Sequence, residues 1–133
     1  MSADENVKTA QEGYAAFGRG DVPAILELLT DDVEWVEPGP PDVLPAAGTY
    51  RGKEEVGRFF AITGENLEIH KFEPHAFIAQ DDHVVVLIST EATAKSTGRR
   101  VANHIAHVWT FRDGKLAHFE AFSDTAAAVG AYS

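Results

Sequence analysis

Residues 101–122, "VANHIAHVWTFRDGKLAHFEAF", decide the fold. β-Branched and aromatic residues dominate both halves of this stretch, and Arg112-Asp113-Gly114 between them is a typical tight hairpin turn. Working outward toward the N-terminus, residues 83–94 ("HVVVLISTEATA") and the extended segment 67–79 have the same strand character, with turn sequences between them. The second half of the chain therefore predicts a four-stranded antiparallel meander.

Helical patterns come before this meander. Ser2 and Glu5 fit a capping box, and a stripe of apolar residues at spacings of three and four then predicts a first helix, namely Val7, Ala10, Tyr14 and Phe17. Asp21 is a natural N-cap for a second helix, which we expect to end near residues 30–32. Residues 52–62 predict a third helix with Val56, Phe59 and Phe60 on its buried side.

A short strand and a long loop lie between the second and third helices. Residues 33–37 have strand character, and Pro38 ends the strand. The following residues 38–50 contain four prolines and two glycines. A loop of that length inside a compact domain is typical of a lid or a binding loop. The last residues, 124–133, predict one more helical turn, capped by Asp124.

Composition limits the functions that the chain can have. The 133 residues fit a single domain, residues 1–133, and the formal net charge is −10. The only adjacent basic pair is Arg99-Arg100, which excludes a basic stripe for nucleic acid or for an anionic membrane surface. Without cysteine there is no disulfide and no thiolate metal site. The acidic N-terminus lacks the features of a signal peptide, so we expect a cytoplasmic protein.

The first strand carries an acid toward one of its faces. In Glu34-Trp35-Val36-Glu37-Pro38, side chains alternate across the strand, so Glu37 shares a face with Trp35 and Glu34 shares the other with Val36. Trp35 is the larger apolar group, which favours an inward position for Trp35 and for Glu37 with it. Proline keeps the preceding residue extended, so the alternation should persist through Glu37. The alternative is a solvated acid at a strand end.

Two histidines on the fourth predicted strand have the spacing His-x-x-His. On a strand, a separation of three places His104 and His107 on opposite faces, so they do not predict a shared metal. His107 shares its face with Ile105, Trp109 and Phe111, an apolar set that suits a pocket wall. Both a catalytic role and a core histidine satisfied by a neighbour stay open for His107.

Four stretches together resemble the NTF2-like superfamily, and within it the ketosteroid isomerase-related, SnoaL-like proteins. They are "YAAFGRGDVPAILELLTDDVEW" (14–35), "YRGKEEVGRFF" (50–60), "HVWTFRDGKL" (107–116) and "FSDTAA" (122–127). The resemblance implies an α+β cone in which three N-terminal helices pack in a curved mixed or antiparallel sheet around one apolar pocket. It also implies a homodimer formed through the outer face of the sheet, and no cofactor or metal.

The resemblance implies roles residue by residue. The family's base lies directly before a proline at the end of the first strand, which is Glu37 here, and the protonated acid of ketosteroid isomerase falls on His107. The family's tyrosine falls on Gly13, one residue or about 100° of helix from Tyr14. The candidate substrate-binding residues, for which plain core is the alternative, are Tyr14, Phe17, Trp35, Tyr50, Phe59, Phe60, Trp109, Phe119 and Ala121.

The implied function is that of a cofactor-independent isomerase or polyketide cyclase acting on a small hydrophobic carbonyl compound. Glu37 would take the proton next to the carbonyl, and His107 would stabilise the enolate or return the proton. A non-catalytic ligand-binding or dimerisation module is the alternative from another class. A dehydratase is a further alternative, as is an epoxide hydrolase, although Glu120 and Ala121 stand where that enzyme needs a pocket-facing acid.

Overall fold

The computed structural model describes residues 2–133 and folds them into four helices and six strands. In chain order the elements are α1 (Ala3–Gly18), α2 (Val22–Glu27), β1 (Leu29–Glu37), β2 (Gly48–Arg51), α3 (Gly52–Asn66), β3 (Leu67–Gln80), β4 (His83–Ala94), β5 (Arg100–Arg112), β6 (Lys115–Phe122) and α4 (Thr125–Ala131). No helix within residues 2–133 is long and apolar enough to cross a bilayer.

All six strands form one curved sheet in the order β2-β1-β6-β5-β4-β3. Strands β3 to β6 form the predicted antiparallel meander, while β1 pairs in parallel with β6 and places Trp35 beside Phe119. Helices α1 and α3 pack against the inner face, and α4 packs against β5. The α+β class with a mixed sheet around the helices is therefore confirmed.

Three predicted N-caps are present. Ser2 Oγ accepts a hydrogen bond from the Glu5 amide, Asp21 from the Ala24 amide and Asp124 from the Ala127 amide. Each cap satisfies an amide that has no partner within its helix, and so fixes where the helix begins. The cap at Asp124 begins a helix of seven residues, about two turns, rather than the single turn that we predicted.

Two boundaries predicted between residues 28 and 51 are wrong. The second helix ends at Glu27, because Leu29 and Val33 are buried together on the inner face of β1 and so begin the strand. The expected loop of residues 38–50 contains most of β2, which pairs antiparallel with β1 from Glu37 opposite Gly48 to Glu34 opposite Arg51. A four-residue edge strand has too few alternating positions to be recognised in a sequence.

Strand β3 bends twice. Its pairing with β4 shifts register between Ile69 and Lys71 and again between Pro74 and Ala76. Each bulge adds one residue and so exchanges the inner and outer faces of the strand, and it increases the local twist. Ile69, Phe72 and Phe77 therefore all face inward although their spacings are odd. The bent strand curves the edge of the sheet around α1.

Candidate active site

A cavity of about 230 Å³ lies between the inner face of the sheet and the helices. Helices α1, α3 and α4 and the loop after β1 close the other sides. Its wall is rich in aromatic rings, which come from Tyr14, Phe17, Trp35, Phe59, Phe60, Phe72, Trp109, Phe119 and Tyr132. Trp35 and Phe119 on the paired strands β1 and β6 stack with their centroids 3.8 Å apart. The cavity therefore offers flat apolar surfaces with a few polar groups, as small-molecule sites do.

Strand β5 supplies one side of this wall from alternate residues. Val101, Asn103, Ile105, His107 and Trp109 all face the cavity. The first three are partly exposed, while His107 is 8% and Trp109 only 3% exposed. The strand thus runs from the accessible end of the cavity at Val101 to a closed end at Trp109.

Glu37 is the last residue of β1 and lines the cavity two residues after the buried Trp35. Burial removes water from its carboxyl group and raises the pKa of Glu37 to about 7. Glu34 lies on the other face of the strand, where its carboxylate is 3.3 Å from Arg51 and 3.3 Å from His118. The strand therefore places one acid in the cavity wall and pairs the other with basic side chains on the outer face.

His107 lies at the closed end of the cavity, and burial lowers its pKa to about 3, so the ring is neutral at physiological pH. Its Nδ1 is 2.7 Å from Tyr14 Oη, and Trp109 Nε1 donates to the same oxygen at 2.8 Å. Burial also raises the pKa of Tyr14, which keeps its hydroxyl protonated. Three polar side chains thus form one connected chain in the wall.

Gly13 explains why a tyrosine one position later reaches this chain. A Cβ atom at Gly13 would lie 2.7 Å from Trp109 Cη2, so the residue at that position has no room for a side chain. Helix α1 therefore approaches the Trp109 indole ring through Gly13 and sends the adjacent Tyr14 ring to His107, with centroids 5.8 Å apart. The one-residue offset moves the hydroxyl group without removing it from the pocket.

The structure brings together Glu37, His107 and eight of the nine predicted substrate-binding residues around one cavity; the eight are Tyr14, Phe17, Trp35, Phe59, Phe60, Trp109, Phe119 and Ala121. Tyr50 lies behind this wall, where its ring packs edge-on against Phe59 and its hydroxyl donates to the Ala46 carbonyl. His104 is on the opposite face of the sheet and lies 3.3 Å from Ser89 Oγ. No cluster of metal-ligating side chains is present within residues 2–133.

Sequence reasoning missed several wall residues. The loop after β1 contributes Leu44 and Ala46, helix α4 contributes Ala131 and Tyr132, and strand β3 contributes Phe72. The proline-rich composition indicated a binding loop, but it does not say which residues point inward. Phe72 could not be found from alternation, because the bulges of β3 change which residues face the cavity.

Comparisons with known proteins agree with this architecture. The SnoaL-like domain family matches residues 10–119. An NTF2-like protein from Burkholderia xenovorans is 33% identical, covers 100% of this chain and 99% of its own, and superposes with a TM-score of 0.91. TerC, co-crystallised with polyporic acid, is 32% identical over 96% of this chain and 98% of its own, with a TM-score of 0.87.

A more distant structure shares the fold. A candidate SnoaL-like polyketide cyclase from Mesorhizobium loti is 21% identical over 87% of this chain and 97% of its own, with a TM-score of 0.71. The curated proteins contain no match. With a family match over most of its length and relatives of the same fold at one-third identity, the chain belongs to the SnoaL-like domain family of NTF2-like proteins.

Proposed function

We propose that the protein is a cofactor-independent enzyme that moves a proton on a small hydrophobic carbonyl compound. The observation that carries the proposal is the pair of ionisable groups in one largely apolar cavity: Glu37, whose pKa burial raises to about 7, and His107, which burial keeps neutral near pH 7. A general base works best when its pKa is near the working pH. A neutral histidine hydrogen-bonded to a buried tyrosine is suited to donating a hydrogen bond rather than to taking a proton.

The proposed reaction begins with enolate formation. The Glu37 carboxylate takes a proton from the carbon next to the carbonyl. The electron pair of the C–H bond forms a carbon–carbon double bond, and the π pair of the carbonyl moves onto its oxygen. The neutral His107 ring donates a hydrogen bond to that oxygen as its negative charge develops. In an isomerase, protonated Glu37 returns the proton to another carbon. In a cyclase the enolate carbon attacks a second carbonyl carbon of the same molecule, the π pair of that carbonyl moves onto its oxygen, and this oxygen takes the proton from Glu37.

The size and wall of the cavity support a small, flat substrate. An engineered cavity of about 150 Å³ binds benzene, and drug-sized ligands occupy about 300–1,000 Å³. At about 230 Å³ the cavity fits one ring with substituents, or two small fused rings, better than a four-ring steroid. Stacked rings such as Trp35 and Phe119 favour an aromatic or conjugated compound.

The relatives support binding of an organic molecule in this fold. TerC, with about one-third of its residues identical to this chain, was co-crystallised with polyporic acid. The M. loti protein named as a candidate polyketide cyclase shares the fold. Both are consistent with a carbonyl substrate for this chain, and enolate formation is the first step common to an isomerase and a cyclase.

Hydrogen exchange tests the proposal even while the product of the reaction is unidentified. Native mass spectrometry of freshly purified protein first identifies any retained ligand. A panel of small ketones, enones and lactones is then incubated in D₂O, and loss of the proton next to each carbonyl is followed by NMR. We expect exchange on at least one compound, with a rate that rises through about pH 7 as Glu37 ionises.

The matched variants are Glu37→Gln and Glu34→Gln, two changes of the same kind on opposite faces of β1. Glu37→Gln should slow exchange by about 10²–10⁴-fold, the usual contribution of a general base, and Glu34→Gln should leave it unchanged. Full exchange by Glu37→Gln would overturn the mechanism. Ligand binding without exchange on any compound would instead favour a non-catalytic binding module.

We further propose that the protein forms a homodimer through the outer face of the sheet. Apolar residues from four neighbouring strands lie on this face in register, with Ile78 beside Val85 and Val108, and Ala106 beside Phe122. Ile78 is 56% and Phe122 50% exposed, unusual values for large apolar side chains. A location in the cytoplasm stays a prediction from the N-terminal sequence.

A further inference from the structure

The polar chain at the closed end of the cavity has a defined direction. It begins at Trp109 Nε1, which can only donate, passes through Tyr14 Oη at 2.8 Å, and ends at His107 Nδ1, 2.7 Å from the same oxygen. The tyrosine oxygen carries one hydrogen, and the His107 ring is neutral, so only one of the two ring nitrogens carries a hydrogen. Two proton arrangements fit these atoms.

In the first arrangement Tyr14 donates to Nδ1, and the hydrogen of His107 is on Nε2. In the second, Nδ1 carries the hydrogen and donates to Tyr14, whose own hydrogen then has no acceptor in the chain, while Nε2 is an unused acceptor. The first arrangement leaves only the Nε2–H group without a partner, whereas the second leaves both the Tyr14 hydroxyl hydrogen and Nε2 without one. Unpaired polar groups are costly in a buried region. A phenol is also more acidic than a neutral imidazole, and imidazole nitrogen is the better acceptor. Both considerations favour the first arrangement.

The free nitrogen of His107 faces the cavity. Side-chain hydrogen bonds within residues 2–133 engage only Nδ1 of this ring. Four buried side-chain polar atoms of the described chain are enclosed without a partner, and they are Asn6 Oδ1, Thr30 Oγ1, Trp35 Nε1 and Thr63 Oγ1. His107 Nε2 is not one of these enclosed atoms, and His107 lines the cavity. Nε2 is therefore at the cavity surface, where a bound molecule can reach it.

We propose that Trp109 and Tyr14 are positioning residues that fix His107 in the Nε2–H tautomer, so that the closed end of the cavity presents one neutral donor and selects ligands with an acceptor oxygen. Such an oxygen belongs to a ketone, enone, quinone or lactone carbonyl. A ligand that offers only donors there, such as an ammonium group, meets an N–H group and no acceptor. The link between this donor and the reacting carbonyl rests on the proposed function, whereas the tautomer does not.

The tautomer is measured directly on ¹⁵N-labelled protein by long-range ¹H–¹⁵N correlation NMR, which distinguishes protonated from unprotonated ring nitrogens. We expect the wild-type His107 ring to be protonated at Nε2 and unprotonated at Nδ1 at pH 7. Tyr14→Phe removes the donor to Nδ1 and should give a mixture of tautomers. Tyr50→Phe, a matched change at a tyrosine that lies behind the cavity wall and donates to the Ala46 carbonyl, should leave the wild-type pattern.

Protonation at Nδ1 in the wild type, or at both nitrogens, overturns the proposal, and this result requires no variant to fold. An unchanged, single Nε2–H tautomer in folded Tyr14→Phe also overturns it, because the tyrosine would then have no positioning role.

Ligand preference is the second measurement. Acetophenone and α-methylstyrene have the same shape, but only acetophenone has an acceptor oxygen. We expect wild type to bind acetophenone about 2- to 10-fold more tightly in a titration, the range of one net hydrogen bond, and the His107 Nε2 proton resonance to shift on binding. Tyr14→Phe should reduce that preference. Equal affinities, or tighter binding of α-methylstyrene, contradict the assigned ligand class.

Neither measurement requires turnover. Absence of exchange activity in the wild-type protein would therefore end the proposed reaction without affecting the tautomer, and a wrong tautomer would leave Glu37-dependent exchange intact.

Discussion

Burial shifts the pKa values of Glu37 and His107 in opposite directions, because it favours the uncharged form of each group. It raises the pKa of Glu37 to about 7 and lowers that of His107 to about 3. Of these two groups, therefore, only Glu37 changes its charge near neutral pH. No charged partner contributes to its pKa shift. The same property that suits Glu37 to proton transfer should be visible in the stability of the protein.

Glu37→Gln is predicted to change how stability depends on pH. The ordinary pKa of 4.5 applies in the unfolded chain, against about 7 in the folded protein. Below pH 4.5 Glu37 is protonated in both the folded and the unfolded protein. Between pH 4.5 and about 7 it ionises only in the unfolded chain, so the wild-type protein loses stability as the pH rises. The total is about 3 kcal/mol and is complete above about pH 7. Denaturant unfolding at pH 4 to 8 should show the free energy of unfolding of Glu37→Gln rising by that amount relative to wild type.

Glu34→Gln is the control for this measurement. Glu34 lies on the outer face beside Arg51 and His118, so its substitution should change the free energy of unfolding by no more than about 1 kcal/mol at any pH between 4 and 8. A constant difference between wild type and Glu37→Gln across the same range would mean that the Glu37 carboxyl group is hydrated.

Gly13→Ala tests the close approach of α1 to Trp109. The new methyl group would lie 2.7 Å from Trp109 Cη2, and a buried indole ring has little room to yield. We expect a loss of about 1–3 kcal/mol, measured by denaturant unfolding. Gly18→Ala on the same helix has nothing within 4 Å and should be neutral or stabilising by up to about 1 kcal/mol. Equal effects of the two changes would contradict the packing described for α1.

At the scale of elements, α4 joins the cavity wall to the sheet through few contacts. Its residues Ala128, Ala131 and Tyr132 line the cavity, and Asn103 on β5 donates to the Asp124 carbonyl just before the helix. A second tie is the bond from Thr97 Oγ1 to the Ala131 carbonyl. Helix α4 lies beside the accessible end of the cavity, so movement of α4 away from β5 would widen the entrance.

Asp124→Ala is predicted to loosen α4. The change removes the cap on the Ala127 amide but leaves the backbone carbonyl that Asn103 binds. Loss of an N-cap costs about 1 kcal/mol, so amides of α4 should exchange with solvent about 5-fold faster in hydrogen-exchange NMR. Asp42→Ala, an exposed acid in the loop after β1, is the control and should leave α4 unchanged. Unaltered α4 exchange in Asp124→Ala would show that the helix does not depend on its cap.

The elements also show what the sequence could predict. Long periodic segments and side-chain caps were recognisable, because Ser2, Asp21 and Asp124 act on amides only a few residues away. Edge strand β2 and the bulges of β3 were not, since they depend on pairing with distant strands. The candidate site likewise has one part that local sequence patterns indicate and another that depends on contacts between distant residues. Alternation, together with the apolar residues Trp35 and Trp109 on the same faces, favoured inward positions for Glu37 and His107, but no local pattern joins Tyr14 to a ring 93 residues away.

At the scale of the whole molecule, the two faces of the sheet have different uses. The inner face surrounds the cavity, and the outer face carries the apolar group around Phe122 and Ile78. If two copies cover this group, each cavity stays independent, because the inner face of each sheet is turned away from the interface.

Phe122→Glu is predicted to produce monomers. A charge within an apolar interface must be buried without a partner, which strongly opposes association. We expect light scattering after size exclusion to give twice the chain mass for wild type and the chain mass for the variant. Gln11→Glu adds the same charge on exposed α1 and should stay dimeric. A wild-type monomer at micromolar concentration would end the dimer proposal, whereas the cavity and its chemistry would be unaffected.

The parallel pairing of β1 with β6 has a consequence for synthesis of the chain. Glu37 leaves the ribosome early, but Phe119 and Ala121, which complete its side of the wall, follow only with β6. At a synthesis rate of about 5–20 residues per second, β6 follows Glu37 after an interval on the order of 5 to 15 s. During that interval the carboxyl group is in water with an ordinary pKa. Until β6 pairs with β1, Glu37 therefore lacks the raised pKa that suits a general base, and the proposed reaction cannot begin.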